Sequence, residues 1–173
     1  MTTTSMFTDR DNPARFALAF LLIAGATILG ALGFEHIGGY QPCALCLMQR
    51  TPYYLGVPVA ALILVLLALK GSRGLVLALF VALAALALYN AGLGAYHSGV
   101  EWGIFDPPAT CAGTGDLGGG SIIDRLKTET APSCTDAVWR FLGLSFAGWN
   151  VLVSLALAAI AAAGFAATRR MGA

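Results

Sequence analysis

Long apolar runs broken by short polar clusters set the pattern of the chain. A helix needs about 20 residues to cross roughly 30 Å of hydrocarbon. Four runs reach that length: Ala14 to Phe34, Pro52 to Lys70, Gly74 to Tyr96 and Leu144 to Ala167. Leu, Ala and Val fill them without the strict alternation of a lipid-facing barrel strand, which predicts helices. The expected fold is an all-α membrane protein, a four-transmembrane-helix bundle forming one domain over residues 1–173. The connections 35–51 and 97–143 then share one side of the membrane, and the chain ends share the other with the turn between the second and third spans. The first run exceeds a signal-peptide h-region of about 7 to 15 residues and follows a polar tail, so it reads as an uncleaved helix.

Composition agrees, with 58% hydrophobic and 11% charged residues. The net charge is +1 and no basic stripe exists, which argues against nucleic-acid binding. The few charges set the orientation. Arg10, Arg15, Lys70, Arg73, Arg169 and Arg170 fall on the side of the termini, against Arg50, Arg125, Lys127 and Arg140 on the other, although the second side holds most loop residues. By the positive-inside rule the termini are expected in the cytoplasm.

Every cysteine then falls on the non-cytoplasmic side: Cys43 and Cys46 in the first outer loop, Cys111 and Cys134 in the second. That is the distribution of an oxidising compartment. Pro107 and Pro108 stiffen the approach to Cys111 and a glycine-rich stretch follows it, so Cys111 is expected on an exposed, mobile segment. Ser121 as N-cap, with Ile122, Ile123 and Leu126 on one face, predicts a short helix that lies in the membrane interface or packs on the bundle.

The ring closed by Cys43 and Cys46 is too small to add much stability as a staple, because loop-closure stabilisation grows with loop length. Redox exchange is the better reason for the spacing. Thr51 and Pro52 read as the start of the second helix with Arg50 beside them, and this places Cys46 as the better-activated thiol. Zinc is the weaker reading, since Cys111 and Cys134 form no second close-spaced knuckle. No metal is expected. A scaffold with static outer disulfides is the non-enzymatic alternative, and four cysteines leave three connectivities open.

Three stretches carry a resemblance: "QPCALCLMQR" from Gln41, "YHSGVEWG" from Tyr96 and "CTDAVWRFLGLSFAGWN" from Cys134. They resemble the disulfide bond formation protein B (DsbB) family of quinone-dependent thiol oxidases in the bacterial inner membrane, and the likeness covers nearly the whole chain. The vitamin K epoxide reductase family shares helices, cysteine pairs and a quinone, but there the pair beside the quinone comes late in the chain. Here it lies between the first two spans.

The resemblance implies a thioredoxin-fold partner of the DsbA type and a membrane quinone, ubiquinone or menaquinone, as electron acceptor. It implies that Cys111 is attacked by the reduced partner and releases Cys134. Cys134 then attacks Cys43 and leaves Cys46 facing the quinone. Arg50 matches the arginine beside the quinone ring, where a cation stabilises thiolate and developing quinol anion. His97 and Trp139 match positions lining or flanking that pocket. Gln49 departs from the acidic residue often found there. On their own residues, Arg50 also fits a snorkelling anchor, His97 a cap on helix carbonyls and Trp139 an interfacial belt residue. Glu35 and His36 read as interfacial, and Ala26 with Gly30 as a small-xxx-small helix contact.

Overall fold

The structure, a computed structural model, describes residues 12–111 and 133–171. Four helices account for most of them: α1 (Pro13–His36), α2 (Ala44–Ala68), α3 (Arg73–Glu101) and α4 (Phe146–Arg170). A two-residue ladder, β1 (Arg140–Phe141) against β2 (Leu144–Ser145), precedes α4. All four helices are long and apolar enough to cross a bilayer, and the chain is a multi-pass membrane protein. The helix expected after Ser121 lies outside the described residues.

Three of the four helices, α1, α2 and α4, start where a side chain supplies a cap. Asn12 Oδ1 accepts from the Ala14 N–H at 3.0 Å, and Pro13 follows at the position where a missing N–H costs nothing. Ser145 Oγ accepts from the Gly148 N–H at 3.2 Å to open α4. At the far end of α4, the Arg73 guanidinium donates to the carbonyls of Thr168 and Arg169, which satisfies acceptors that a helix C-terminus leaves open.

The second helix departs from expectation. It begins at Ala44 and not at Pro52, with Cys43 as its N-cap, and Pro52 and Pro58 lie inside it. A proline costs a soluble helix an intrahelical bond, but membrane helices tolerate it because neighbouring groups satisfy the freed carbonyl. The third helix also runs past Tyr96 to Glu101, so His97 is a buried helical residue. The fourth begins at Phe146, because Leu142 (φ 52°) and Gly143 (φ 82°) form a left-handed two-residue turn that pairs Phe141 with Leu144 and Arg140 with Ser145.

The core is built from Phe20, Ile63, Phe80, Leu83 and Leu157 among small residues such as Ala17, Ala24, Ala60 and Ala161. The close approach of α3 and α4 rests on Gly164, where an added Cβ would lie 2.3 Å from the ring of the fully buried Phe80. Gly164→Ala is therefore expected to destabilise the bundle by about 1–3 kcal/mol through overpacking. Thermal unfolding in detergent checks this, and an unchanged midpoint would contradict the contact. Gly30 behaves differently: a Cβ there would meet nothing within 4 Å, and both Ala26 and Gly30 border a cavity instead of closing a helix contact.

Candidate functional site

The N-terminus of α2 places its capping cysteine against α3. Three groups converge on Cys43 Sγ: the Cys46 thiol at 2.7 Å, the Cys46 backbone N–H, which donates at 3.2 Å, and His97 Nε2 at 3.7 Å. The bond from the Cys46 thiol, ahead of the opposing effect of burial and with help from His97 and the backbone N–H, holds the Cys43 thiol below its ordinary range. The expectation that Cys46 would be the better-activated thiol is corrected on this point. The helix N-terminus that aims N–H groups at a sulfur lies at Ala44, so it serves Cys43.

Cys111 and Cys134 form a disulfide, with Cα atoms 5.5 Å apart, while Cys43 and Cys46 are free thiols. All four cysteines share one apolar cluster with Leu45 and Val100. Cys111 is not the exposed residue its sequence surroundings suggest; it is 7% exposed, packed by its disulfide against the start of α2. The segment leading to it is anchored by the Tyr96 hydroxyl, which donates to the Asp106 carbonyl at 2.9 Å.

Beside this cluster lies a cavity of about 260 Å³ walled by α1, α2 and α4, with His97 reaching it from α3. Cys46, Arg50 and His97 line it together with Ala26, Gly30, Phe34, Tyr53, Trp149 and Asn150. The volume is near the lower end of ordinary small-ligand sites, and the wall has their composition, apolar with a few convergent polar groups. Trp139 borders a second, smaller cavity with Cys43, Cys46, His97 and Glu101. Its ring stacks on Phe146 with centroids 4.7 Å apart and packs against Phe34 at 5.6 Å, two residues of the larger cavity's wall.

Arg50 is held in place. Its guanidinium pairs with Glu35 and donates to the Ala31 carbonyl at 3.4 Å, both at the end of α1. Glu35, read from sequence as interfacial, is thus the partner of the cation that lines the cavity. Sequence reasoning also passed over Glu101, Tyr53, Asn90 and Asn150. Glu101 Oε1 lies 3.8 Å from His97 Nε2, its side chain is 5% exposed, and its Oε2 has no hydrogen-bond partner among the described residues. Asn150 joins Tyr53 and Gln49 in a buried polar chain. Asparagines inside apolar spans carry a readable signal, because a polar group at that depth is costly unless it serves a purpose.

Cys43, Cys46 and His97 also bring three possible metal-ligand atoms within 4.8 Å of one another. That is one ligand short of a closed zinc site, with Glu101 beside it.

A thiol pair packed against a disulfide at one end of a four-helix membrane bundle is the equipment of a membrane thiol–disulfide oxidoreductase. Comparison with known proteins narrows that class. The sequence model described as "Disulfide bond formation protein DsbB" matches residues 13–164. The chain belongs to the DsbB family of disulfide-forming membrane proteins. Among curated relatives, the disulfide bond formation protein B of Aromatoleum aromaticum is 35% identical over 157 residues, covering 85% of this chain and 90% of its own. That of Polaromonas sp. is 29% identical over 159 residues, covering 87% and 89%. The uncharacterized protein RP370 of Rickettsia prowazekii is 28% identical over 155 residues, covering 87% of each chain. No solved structure matches the chain.

Proposed function

We propose that the protein is a protein-dithiol:quinone oxidoreductase that reoxidises a DsbA-type partner in the periplasm and so sustains disulfide formation. It would sit in the bacterial inner membrane with both termini cytoplasmic and both cysteine loops periplasmic, an orientation supported by the basic residues Lys70, Arg73, Arg169 and Arg170 on the terminal side. One observation carries the reading: Cys46 faces a cavity that also presents Arg50 and His97, while Cys43 behind it shares a cluster with the Cys111–Cys134 disulfide.

The cysteine steps balance as exchange reactions. A thiolate of the reduced partner attacks Cys111 Sγ, forming a mixed disulfide and releasing Cys134 as thiolate. Cys134 attacks Cys43, which breaks the Cys43–Cys46 bond and places the electron pair on Cys46. The partner's second thiolate then takes its own sulfur back as a disulfide and frees Cys111. Cys111 attacks Cys134, the outer disulfide re-forms, and Cys43 is released. The resulting pairing, an outer disulfide with an inner dithiol, is the one described above.

Reoxidation of the inner pair must remove two electrons and two protons, which a bound quinone accepts in becoming a quinol. The residues fit such a group. The cavity is apolar where Ala26, Gly30 and Phe34 line it, and it presents the Arg50 cation and the Cys46 sulfur where charge must be managed. Arg50, fixed by Glu35 and the Ala31 carbonyl, holds positive charge without having to reorganise. Cys43, as a stabilised thiolate, is placed to close the disulfide onto Cys46.

Gly30→Leu tests the assignment of the cavity. A Cβ at Gly30 meets nothing within 4 Å, and the position borders the cavity, so the new side chain starts from open space. The expected result is a KM for a soluble quinone raised at least about tenfold, from occlusion of a pocket of this size, with thermal stability unchanged. Unaltered quinone kinetics in a folded variant would remove the cavity as the quinone site.

A further inference from the structure

Gln49 is buried, and the sequence left its role open, since it stands where the resemblance implies an acidic residue. Its surroundings define the orientation of its amide. The nitrogen lies 3.3 Å from the Leu45 carbonyl oxygen, an atom that can only accept, so the nitrogen end is the one facing that side. The same nitrogen lies 2.8 Å from His97 Nδ1. At the other end, Gln49 Oε1 accepts from Asn150 Nδ2 at 2.6 Å. Asn150 Oδ1 in turn accepts from the Tyr53 hydroxyl at 2.6 Å and from Asn90 Nδ2 at 3.3 Å. These contacts fix the orientations of the Gln49 and Asn150 amides, since turning either one would set two acceptors or two donors against each other, while Asn90 Oδ1 has no partner among the described residues.

The consequence falls on His97. A ring nitrogen that accepts a hydrogen bond carries no proton, so the proton of the imidazole is on Nε2. Nε2 faces Cys43 Sγ at 3.7 Å and Glu101 Oε1 at 3.8 Å. We propose that Gln49, anchored through Asn150 and Tyr53, is a positioning residue that fixes His97 as the Nε2–H tautomer, so that the ring donates to the sulfur of Cys43.

This deepens the thiol-relay reading and rests on it for its use in turnover. When Cys111 attacks Cys134, the Cys134–Cys43 bond breaks and its electron pair moves to Cys43 Sγ. A fixed donor at that sulfur makes Cys43 the better leaving group, because a thiolate leaves faster when it is stabilised. The same tautomer bears on the metal question. The histidine nitrogen beside the thiols presents a proton where a ligand needs a lone pair, so Cys43, Cys46 and His97 are arranged for hydrogen bonding and not for a metal ion.

The test uses the full-length protein in detergent with its histidines labelled with 15N, and His36→Gln assigns the signals. Near neutral pH, His97 is expected to show a pyridine-type Nδ1 and a pyrrole-type Nε2. Gln49→Glu, whose carboxylate can only accept, is expected to move the proton to Nδ1. A second readout follows alkylation of Cys43 against pH in the Cys46→Ser background, where Cys43 is the remaining free thiol and the other titratable groups bordering its cavity are His97, Glu101 and Asp136. There Gln49→Met is expected to lower the alkylation rate at pH 6 by about tenfold, as loss of a donor to a charged sulfur implies. A pyrrole-type Nδ1 in the unaltered protein would overturn the proposal, even if no variant folds. So would a Gln49→Met variant with unchanged Cys43 reactivity. Neither measurement contains a quinone or a partner, so failure of the relay reading would leave both results standing.

Discussion

Cys134→Ser is expected to stop partner-driven turnover, by about a thousandfold or more, while its Cys111 thiol still captures a partner supplied as an activated disulfide in an isolable mixed disulfide. Loss of an attacking group of this kind removes a step outright and does not merely weaken a contact. Two features make Cys134 the informative position. It is bonded to Cys111, so attack there must release it, and it lies in the same buried cluster as Cys43, the next sulfur in the sequence of exchanges. A serine cannot be released as a thiolate or form the next disulfide. In this variant Cys111 is a free thiol, so the partner is supplied as its disulfide with an activating leaving group to form the adduct. Non-reducing electrophoresis then resolves the adduct. Turnover persisting in this variant would mean that electrons reach Cys43 without Cys134, and the two-pair relay would be wrong.

Arg50→Gln is expected to lower the rate of quinone reduction by about a hundredfold, the order found when a fixed electrostatic donor is removed from a developing anion. Arg50 borders the cavity beside Cys46 and is held at two points by α1, through Glu35 and the Ala31 carbonyl. Formation of the partner adduct on Cys111 should be unaffected, because Arg50 lies outside the cysteine cluster. Arg50→Lys should recover part of the rate, since an ammonium supplies the charge but not the planar fork that meets Glu35 and Ala31 together. Equal loss of adduct formation and quinone reduction would point to a structural anchor instead.

The four spans and the meeting of all four cysteines at one end of the bundle were legible in the sequence because each rests on one dimension, the length and order of apolar runs along the chain. What depended on several helices at once was not. Pro52 looks like a helix start, yet α2 carries it in its interior and starts at Cys43, which transfers the activating N–H from Cys46 to Cys43. Glu35 and Arg50 lie on different helices, so nothing in either segment alone announces their pairing. Gln49, His97 and Asn150 come from three helices, and only their meeting gives the histidine a defined proton position. The turn at Leu142 and Gly143 shows the same limit, since a leucine at positive φ is a conformation its own preferences disfavour.

The central claim is that electrons pass from a periplasmic dithiol through Cys46 to a quinone in the cavity. The most direct measurement follows the absorbance of a soluble quinone mixed with the purified protein and a reduced DsbA-type partner, for the intact chain and for Cys46→Ser. The account predicts rapid loss of the quinone signal with the intact chain and none with the variant. Quinone loss that continues in Cys46→Ser, or no loss with a correctly folded intact chain across several partners and quinones, would contradict it.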